Sequence, residues 1–292
     1  MANPNSVRLG LIGYPVGHSV SPLMHQHLLK ALNLSGSYES FETAPDQFEE
    51  RIRALKASDI RGFNVTIPFK RQILALLDEV DESAQLVGAV NSVFHNNNRL
   101  LGFNTDGVGF ERALQFHQID VAKRQAIILG AGGAARAVAL ALIRGDIRRI
   151  YLANRTPGRS LELVEYISRT GFFNFITIPM AQGEIAKLVD TVDFIINATP
   201  IGMWPDIEDT PLEFSEMATD LTAIDLIYNP LQTRFLRSAK AAGIKVMDGL
   251  DMLIFQGIAA MQIWTGRQVD PETVYGDLRN LLTERLNNYG QS

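Results

Sequence analysis

The sequence predicts an α/β protein made of two strand–helix units, and three observations carry that expectation. The first is the segment Gly130-Ala131-Gly132-Gly133-Ala134-Ala135, which follows the apolar run Ala126 to Leu129 and opens a helix-forming stretch, Ala137 to Ile143. Strand, glycine turn and helix together form the context of a dinucleotide fingerprint. Gly130 permits the turn, Gly132 lets backbone N–H groups approach a pyrophosphate, and Ala135 keeps the helix close to the strand. The second observation is a series of short apolar runs at 125–129, 150–153, 174–178, 193–197 and 222–227, with helical stretches between most of them. That alternation is the pattern of a doubly wound sheet, here of Rossmann type. The third is a separate strand–helix alternation in the first hundred residues.

Taken in order, Val7 to Gly13 reads as the first strand, followed by a loop punctuated by Pro15, Gly17 and Pro22. A helix follows with Ser21 as N-cap and Pro22 in its first turn, and Met24, Leu28, Ala31 and Leu32 form its apolar stripe. A strand is expected at 37–42, a helix at Phe48 to Ala57, a strand at Gly62 to Pro68 and a helix at Arg71 to Leu77. Strand alternation over 63–68 puts Asn64 and Thr66 on one face and Val65 and Ile67 on the other. Gly88 to His95 and Arg99 to Phe103 read as strands joined by a turn at Asn96-Asn97-Asn98. The helix Gly107 to Phe116 leads into the second unit. After Met247 the chain is helical again, at Leu250 to Trp264 and Pro271 to Asn287, more than a nucleotide-binding unit needs. The expected division is therefore 1–104, completed by 248–292, around 105–247.

Composition narrows the function classes. A chain of 292 residues that is 46% hydrophobic and 20% charged suits a globular protein of two domains. A net charge of −5 argues against a nucleic-acid partner. The absence of cysteine excludes disulfides, thiolate zinc sites and a cysteine nucleophile, and a cytoplasmic location is the simplest reading. The N-terminus lacks the features of a signal peptide, and no apolar run approaches a membrane span. The five histidines form no i, i+4 pair beside a carboxylate cluster, so no metal is expected.

The cofactor is read from the end of the second strand of the later unit. A carboxylate there usually binds the adenosine ribose of NAD. Here Ile150 to Ala153 is followed by Asn154, Arg155 and Thr156, with Arg159 close behind. Two guanidiniums that can fork onto a phosphate, and no acid to repel it, favour NADP, with NAD as the alternative. Several polar residues elsewhere suit chemistry. Lys70 follows Pro68 at a helix start, Asn91 sits inside the apolar run Val87 to Phe94, and Asp106 lies at a helix N-terminus where the two units join. Ser19 and Ser21 flank a valine in the first loop.

With these segments in view, the chain resembles the shikimate dehydrogenase family. The matching segments are Gly13 to Pro22, Phe63 to Lys70, Gly88 to Ser92, Asn104 to Gly107, Gly130 to Ala135, Asn154-Arg155-Thr156, Asn197 to Met203, Tyr228-Asn229-Pro230 and Asp248-Gly249-Leu250, in the family's order. The resemblance implies reversible NADP-linked conversion of 3-dehydroshikimate to shikimate, in an N-terminal substrate domain completed by the C-terminal helices and a nucleotide domain between. It implies that Ser19 and Ser21 bind the substrate carboxylate and that Asn64, Thr66, Asn91, Asp106 and Gln256 hold the ring hydroxyls. Lys70 and Asp106 then flank the reacting oxygen as an acid/base pair, with Tyr228 lining the site. Gly130, Ala131, Gly132, Gly133, Ala134, Asn154, Arg155, Thr156 and Arg159 fall to the cofactor, with Thr199, Pro200, Met203 and Gly249 bordering it. Two positions stand out against the family pattern. Asp251 adds a carboxylate where many members have glycine, near the expected nicotinamide end. Tyr38 matches members of broader specificity, which leaves a quinate/shikimate dehydrogenase using NAD or NADP as an alternative. A non-catalytic regulatory relative that binds a metabolite is a third reading. The expected partner is a small molecule, and the expected assembly a monomer or homodimer.

Overall fold

The computed structural model describes residues 6–214 and 220–288. The chain divides into two units, Met1–Gly109 with Ile254–Ser292 and Phe110–Leu253, so the breaks fall inside two helices rather than in the turns before them.

In the first unit the chain runs through β1 (Ser6–Gly13), α1 (Ser21–Ala31), β2 (Ser35–Glu42), α2 (Phe48–Lys56), β3 (Gly62–Val65), β4 (Glu79–Val80), α3 (Glu82–Val87), β5 (Ser92–Asn96) and β6 (Arg99–Phe103), then enters α4 (Asp106–Phe116). The sheet order is β2-β1-β3-β5-β6-β4. It is parallel from β2 to β3 and antiparallel where β5 meets β3 and β6. Its core includes Ile12, Ile52, Phe63, Val65, Val93 and Leu100, with Phe48 stacked on Phe69 at 4.0 Å.

Several sequence expectations are corrected here. Ser21 is the first helical residue of α1, not its N-cap. Val20 holds the cap position without a side-chain bond, and the Ser19 hydroxyl accepts from the Ser21 N–H at 3.2 Å. The buried stripe of α1 runs through Met24, His25, Leu28 and Leu29, and Ala31 is exposed. β3 ends at Val65, so the alternation fails beyond it: Thr66 is half-buried and Ile67 is exposed. The expected helix 71–77 is a 3₁₀ turn over Gln72–Leu76. Gly88 does not open a strand. It closes α3 in the left-handed conformation (φ 65°), which glycine adopts without a steric penalty. α3 itself is not legible in the sequence because six residues are too few to show a helical period. Its signal is Asp81, whose carboxylate accepts from the Ser83 N–H at 2.9 Å.

The second unit carries β7 (Gln125–Leu129), α5 (Gly133–Arg144), β8 (Arg149–Asn154), α6 (Pro157–Ser168), β9 (Phe175–Pro179), α7 (Gln182–Ala186), β10 (Phe194–Asn197), β11 (Thr222–Asp225), α8 (Arg234–Ala241) and β12 (Lys245–Met247). The order β12-β11-β10-β7-β8-β9 is parallel throughout, with its reversal beside β7, the strand that feeds the glycine turn. This is the arrangement of a Rossmann-type sheet. β12, three residues long, is an addition to the expected strands.

The last two elements are α9 (Gly249–Thr265) and α10 (Pro271–Asn287). The far half of α9 returns to the first unit. Trp264 is wholly buried, donates its indole N–H to the Val93 carbonyl at 2.9 Å, and lies where a Cβ on Gly62 would come within 2.3 Å of its ring.

Candidate active site

In the first unit, three backbone bonds and one side-chain bond gather the polar residues. The Val90 N–H donates to the Lys70 carbonyl at 2.7 Å, which ties the residue after Phe69 to the segment carrying Asn91. The Asn91 N–H reaches the Phe103 carbonyl (3.1 Å), and the Asn91 carbonyl accepts from the Val65 N–H (2.9 Å) and from Asn64 Nδ2 (3.0 Å). Asn91 thus sits between the ends of β3 and β6. Its side chain is buried and fully engaged. Oδ1 accepts from the Thr105 N–H at 2.8 Å. Nδ2 donates to Asp106 Oδ1 at 2.7 Å and Thr105 Oγ1 at 3.0 Å, with Gln256 Oε1 at 3.4 Å.

Asp106 opens α4, where the helix dipole favours a carboxylate. Asn104 fixes that start, with Oδ1 accepting the Asp106 N–H at 3.1 Å and Nδ2 donating to the Ala89 carbonyl at 2.9 Å. Lys70 Nζ then lies 2.6 Å from Asp106 Oδ2. The result is a half-buried ammonium–carboxylate pair whose carboxylate is anchored on its other oxygen by Asn91. Such a pair can exchange a proton with an adjoining oxygen, with the carboxylate geometry held throughout.

Asn64 joins this cluster through Asn91 and is oriented by Tyr38, whose phenol donates to Asn64 Oδ1 at 2.7 Å. Burial pushes the Tyr38 phenol well above its ordinary value, so it remains a donor. His25, wholly buried, stacks on Tyr38 at 4.5 Å, and burial pushes its imidazole down to about 3. Gln256 Oε1 accepts from Thr105 Oγ1 at 3.3 Å, which draws α9 into the same network. Ser19, Ser21 and Thr66 make no hydrogen bond to this cluster among the described residues. Thr66 sits over Gly13, where a Cβ would meet its Cγ2 at 2.3 Å. Thr105 and Asn104 were missed as site-building residues. Their signal is the run Asn104-Thr105-Asp106, short polar side chains at a helix start, which favours local capping bonds.

In the second unit, Gly130 (φ 107°) occupies a conformation that L side chains rarely adopt, and a Cβ there would come 3.0 Å from the Ala198 carbonyl oxygen and Thr199 Cγ2. Gly132 and Gly133 face open space, and the N-terminus of α5 has no side-chain cap, so its N–H groups and dipole remain available to an anion. Ala131 and Ala134 are half-buried beside them. Asn154 Nδ2 donates to the Thr156 carbonyl at 2.8 Å, which shapes the turn that exposes Arg155, Thr156 and Arg159. Neither guanidinium pairs with a carboxylate among the described residues. Uncapped helix, open glycines and free arginines fit a phosphorylated dinucleotide.

Pro200 and Met203 are exposed in the turn after β10, and Tyr228 is half-buried after β11. Gly249 is buried, and a Cβ there would meet the Leu226 carbonyl oxygen at 2.3 Å, so backbone packing alone requires glycine. Asp251 does not stand as an unbalanced charge: it is buried, with Oδ2 2.6 Å from His117 Nε2.

Comparison with known proteins agrees with this geometry. Residues 11–93 match the shikimate dehydrogenase substrate-binding domain, 111–202 the shikimate/quinate 5-dehydrogenase domain and 249–278 the shikimate 5′-dehydrogenase C-terminal domain. A shikimate dehydrogenase (NADP⁺) of Moorella thermoacetica is 42% identical over 89% of this chain and 88% of its own. The chain belongs to the shikimate dehydrogenase family. The crystal structure of the Thermus thermophilus shikimate 5-dehydrogenase with NADP(H) and shikimate matches with a TM-score of 0.82 at 40% identity, covering 94% of this chain and 99% of that one. The Listeria monocytogenes family member, crystallised with shikimate and NAD, gives 0.86 at 30% identity over 94% and 97%. Among the described residues no helix is long and apolar enough to cross a membrane.

Proposed function

We propose that this chain interconverts 3-dehydroshikimate and shikimate with NADP, the unit Met1–Gly109 with Ile254–Ser292 holding the substrate and Phe110–Leu253 the cofactor. The observation that carries the reading is the Lys70–Asp106 pair at 2.6 Å, locked by Asn91 in a chain whose other unit has a glycine turn without a side-chain cap and two arginines that pair with no carboxylate among the described residues. NADP would supply or take the hydride at the ring carbon. Its pyrophosphate suits Gly130 to Ala134 at the start of α5, and Arg155, Arg159 and Thr156 suit its 2′-phosphate, with Asn154 shaping their turn. Thr199, Pro200, Met203 and Gly249 border it.

The protein's own part is to place and discharge the substrate oxygen. Ser19 and Ser21 hold the carboxylate, and Asn64, Thr66, Asn91 and Gln256 the hydroxyls, with Tyr228 lining the site. As negative charge grows on the reacting oxygen, the Lys70 ammonium stabilises it and delivers the proton, while Asp106 keeps the ammonium aimed. The same groups take the proton back in oxidation. A cytoplasmic enzyme, monomeric or homodimeric, belongs to the same proposal. Quinate is a second reading, which rests on the resemblance at Tyr38, the residue that orients Asn64. Steady-state rates with shikimate and NADP⁺, in native protein and in Lys70→Met, test the assignment. Turnover that survives the substitution contradicts it.

A further inference from the structure

We propose that Asp225 is a positioning residue for the cofactor, acting through Asn197 to hold the turn 198–203 against the glycine turn at Gly130. The proposal rests on the reading that Phe110–Leu253 binds NADP. Asp225 ends β11 and is wholly buried. Its Oδ1 accepts from Asn197 Nδ2 and from the Ile227 N–H, each at 3.0 Å, and its Oδ2 accepts from Thr233 Oγ1 at 2.6 Å. Two of the three proton directions around it are fixed. Thr233 Oγ1 also accepts from the Leu236 N–H at 3.3 Å as the cap of α8, and its own proton is the one that an ionised Asp225 Oδ2 takes. Asn197, paired with Asp225 in the strand register, uses Oδ1 to accept from the Thr199 N–H (3.0 Å) and Thr199 Oγ1 (2.7 Å). Only its amide nitrogen is left to face Asp225, and a flipped amide would set donor against donor at Thr199. An ionised Asp225 accepts from all three groups at once, whereas an Asn there keeps the two bonds at Oδ1 and has to reverse the one at Thr233, leaving that hydroxyl proton without this acceptor.

The far end of this relay is the turn itself. Thr199 Oγ1 accepts from the Ile201 N–H at 3.2 Å, Asn197 Nδ2 reaches the Ile201 carbonyl at 3.3 Å, and the Met203 N–H closes on the Pro200 carbonyl at 3.1 Å. With its hydroxyl used inside the turn, Thr199 turns its methyl toward Gly130, where an added Cβ would lie a tight 3.0 Å from it. A shift of the turn would thus move the wall of the phosphate-binding loop. Burial pushes the Asp225 carboxyl up to about 6, with Asp248 adding in the same direction and the three donors opposing. Burying a carboxylate is a costly way merely to join two strands. The cost is accounted for if the three bonds together hold β10, the turn after it and the start of α8 in place.

The test uses purified native protein, Asp225→Asn, Asn197→Ala and the double variant. NADP⁺ and shikimate dissociation constants are measured separately by calorimetry. Each single variant should weaken NADP⁺ about tenfold, the loss of one hydrogen-bonded anchor, and leave shikimate within about twofold. The double variant should be no weaker than the singles, because both cut one relay. NADP⁺ affinity unchanged in Asp225→Asn, equal losses for both ligands, or a double variant that multiplies the single losses would overturn the proposal. If Asp225→Asn does not fold, Asn197→Ala decides: native-like NADP⁺ affinity there overturns the proposal as well. Native protein that binds no NADP⁺ would sink the cofactor reading and this inference with it, an outcome distinct from a variant that merely retains affinity.

Discussion

Replacing Lys70 with methionine removes the ammonium 2.6 Å from Asp106 and keeps most of the aliphatic stem. Two magnitudes follow. Turnover should fall at least about 10²-fold, the lower end for loss of a general acid, or about 2.7 kcal/mol in the barrier. Stability should fall far less. Breaking a fully buried pair costs about 3–5 kcal/mol, but here Lys70 is 29% exposed. Asp106 also keeps its 2.7 Å bond from Asn91 and its place in the first turn of α4, so about 1–2 kcal/mol is expected. Initial rates from nicotinamide absorbance, a shikimate titration and a thermal melt separate the two effects. Lys70→Ala is the companion variant. If the charge matters, both variants fail alike with similar shikimate affinity. If packing matters, methionine restores much of the rate. Near-normal turnover in both refutes the acid/base role.

Three further outcomes are expected. Arg155→Ala should weaken NADPH by about 1.5–3 kcal/mol and NADH much less, and equal losses would show that Arg155 does not read the 2′-phosphate. Gly249→Ala drives a Cβ against the Leu226 backbone at 2.3 Å and should cost about 1–3 kcal/mol in denaturant unfolding, with an unchanged midpoint as the contrary result. Asp225 has a folded value raised from 3.8 to about 6, so its ionisation opposes folding above about pH 6 and is harmless below about pH 4. Native stability relative to Asp225→Asn should therefore improve by about 2 kcal/mol as pH falls from 7 to 4, and a flat difference would contradict the burial.

The parts of the fold legible in the sequence were those with long or punctuated signals. The glycine turn between β7 and α5 and the parallel strands of the second unit declared themselves by apolar runs and spacing. Short elements did not: β12 has three residues, α3 six, and neither completes a diagnostic period. The strand expected over 62–68 failed after Val65 because the Thr66 N–H bonds to the Ile12 carbonyl while Tyr14 takes the Ile67 carbonyl, contacts between residues distant in sequence. At the candidate site, residue types pointed to Lys70, Asn91 and Asp106. The links that join them did not show, because Val90 to Lys70 and Asn91 to Phe103 are backbone bonds indifferent to side chain. Tyr38 on Asn64 and Asp225 behind Asn197 were likewise invisible, since pairing across strands depends on register.

The most direct measurement is kcat/KM for shikimate and for quinate, each with NADP⁺ and with NAD⁺, on the native protein. The account predicts clear turnover of shikimate with NADP⁺, ahead of the other three combinations. Shikimate that binds without any change in nicotinamide absorbance, or a preference for NAD⁺, would contradict it.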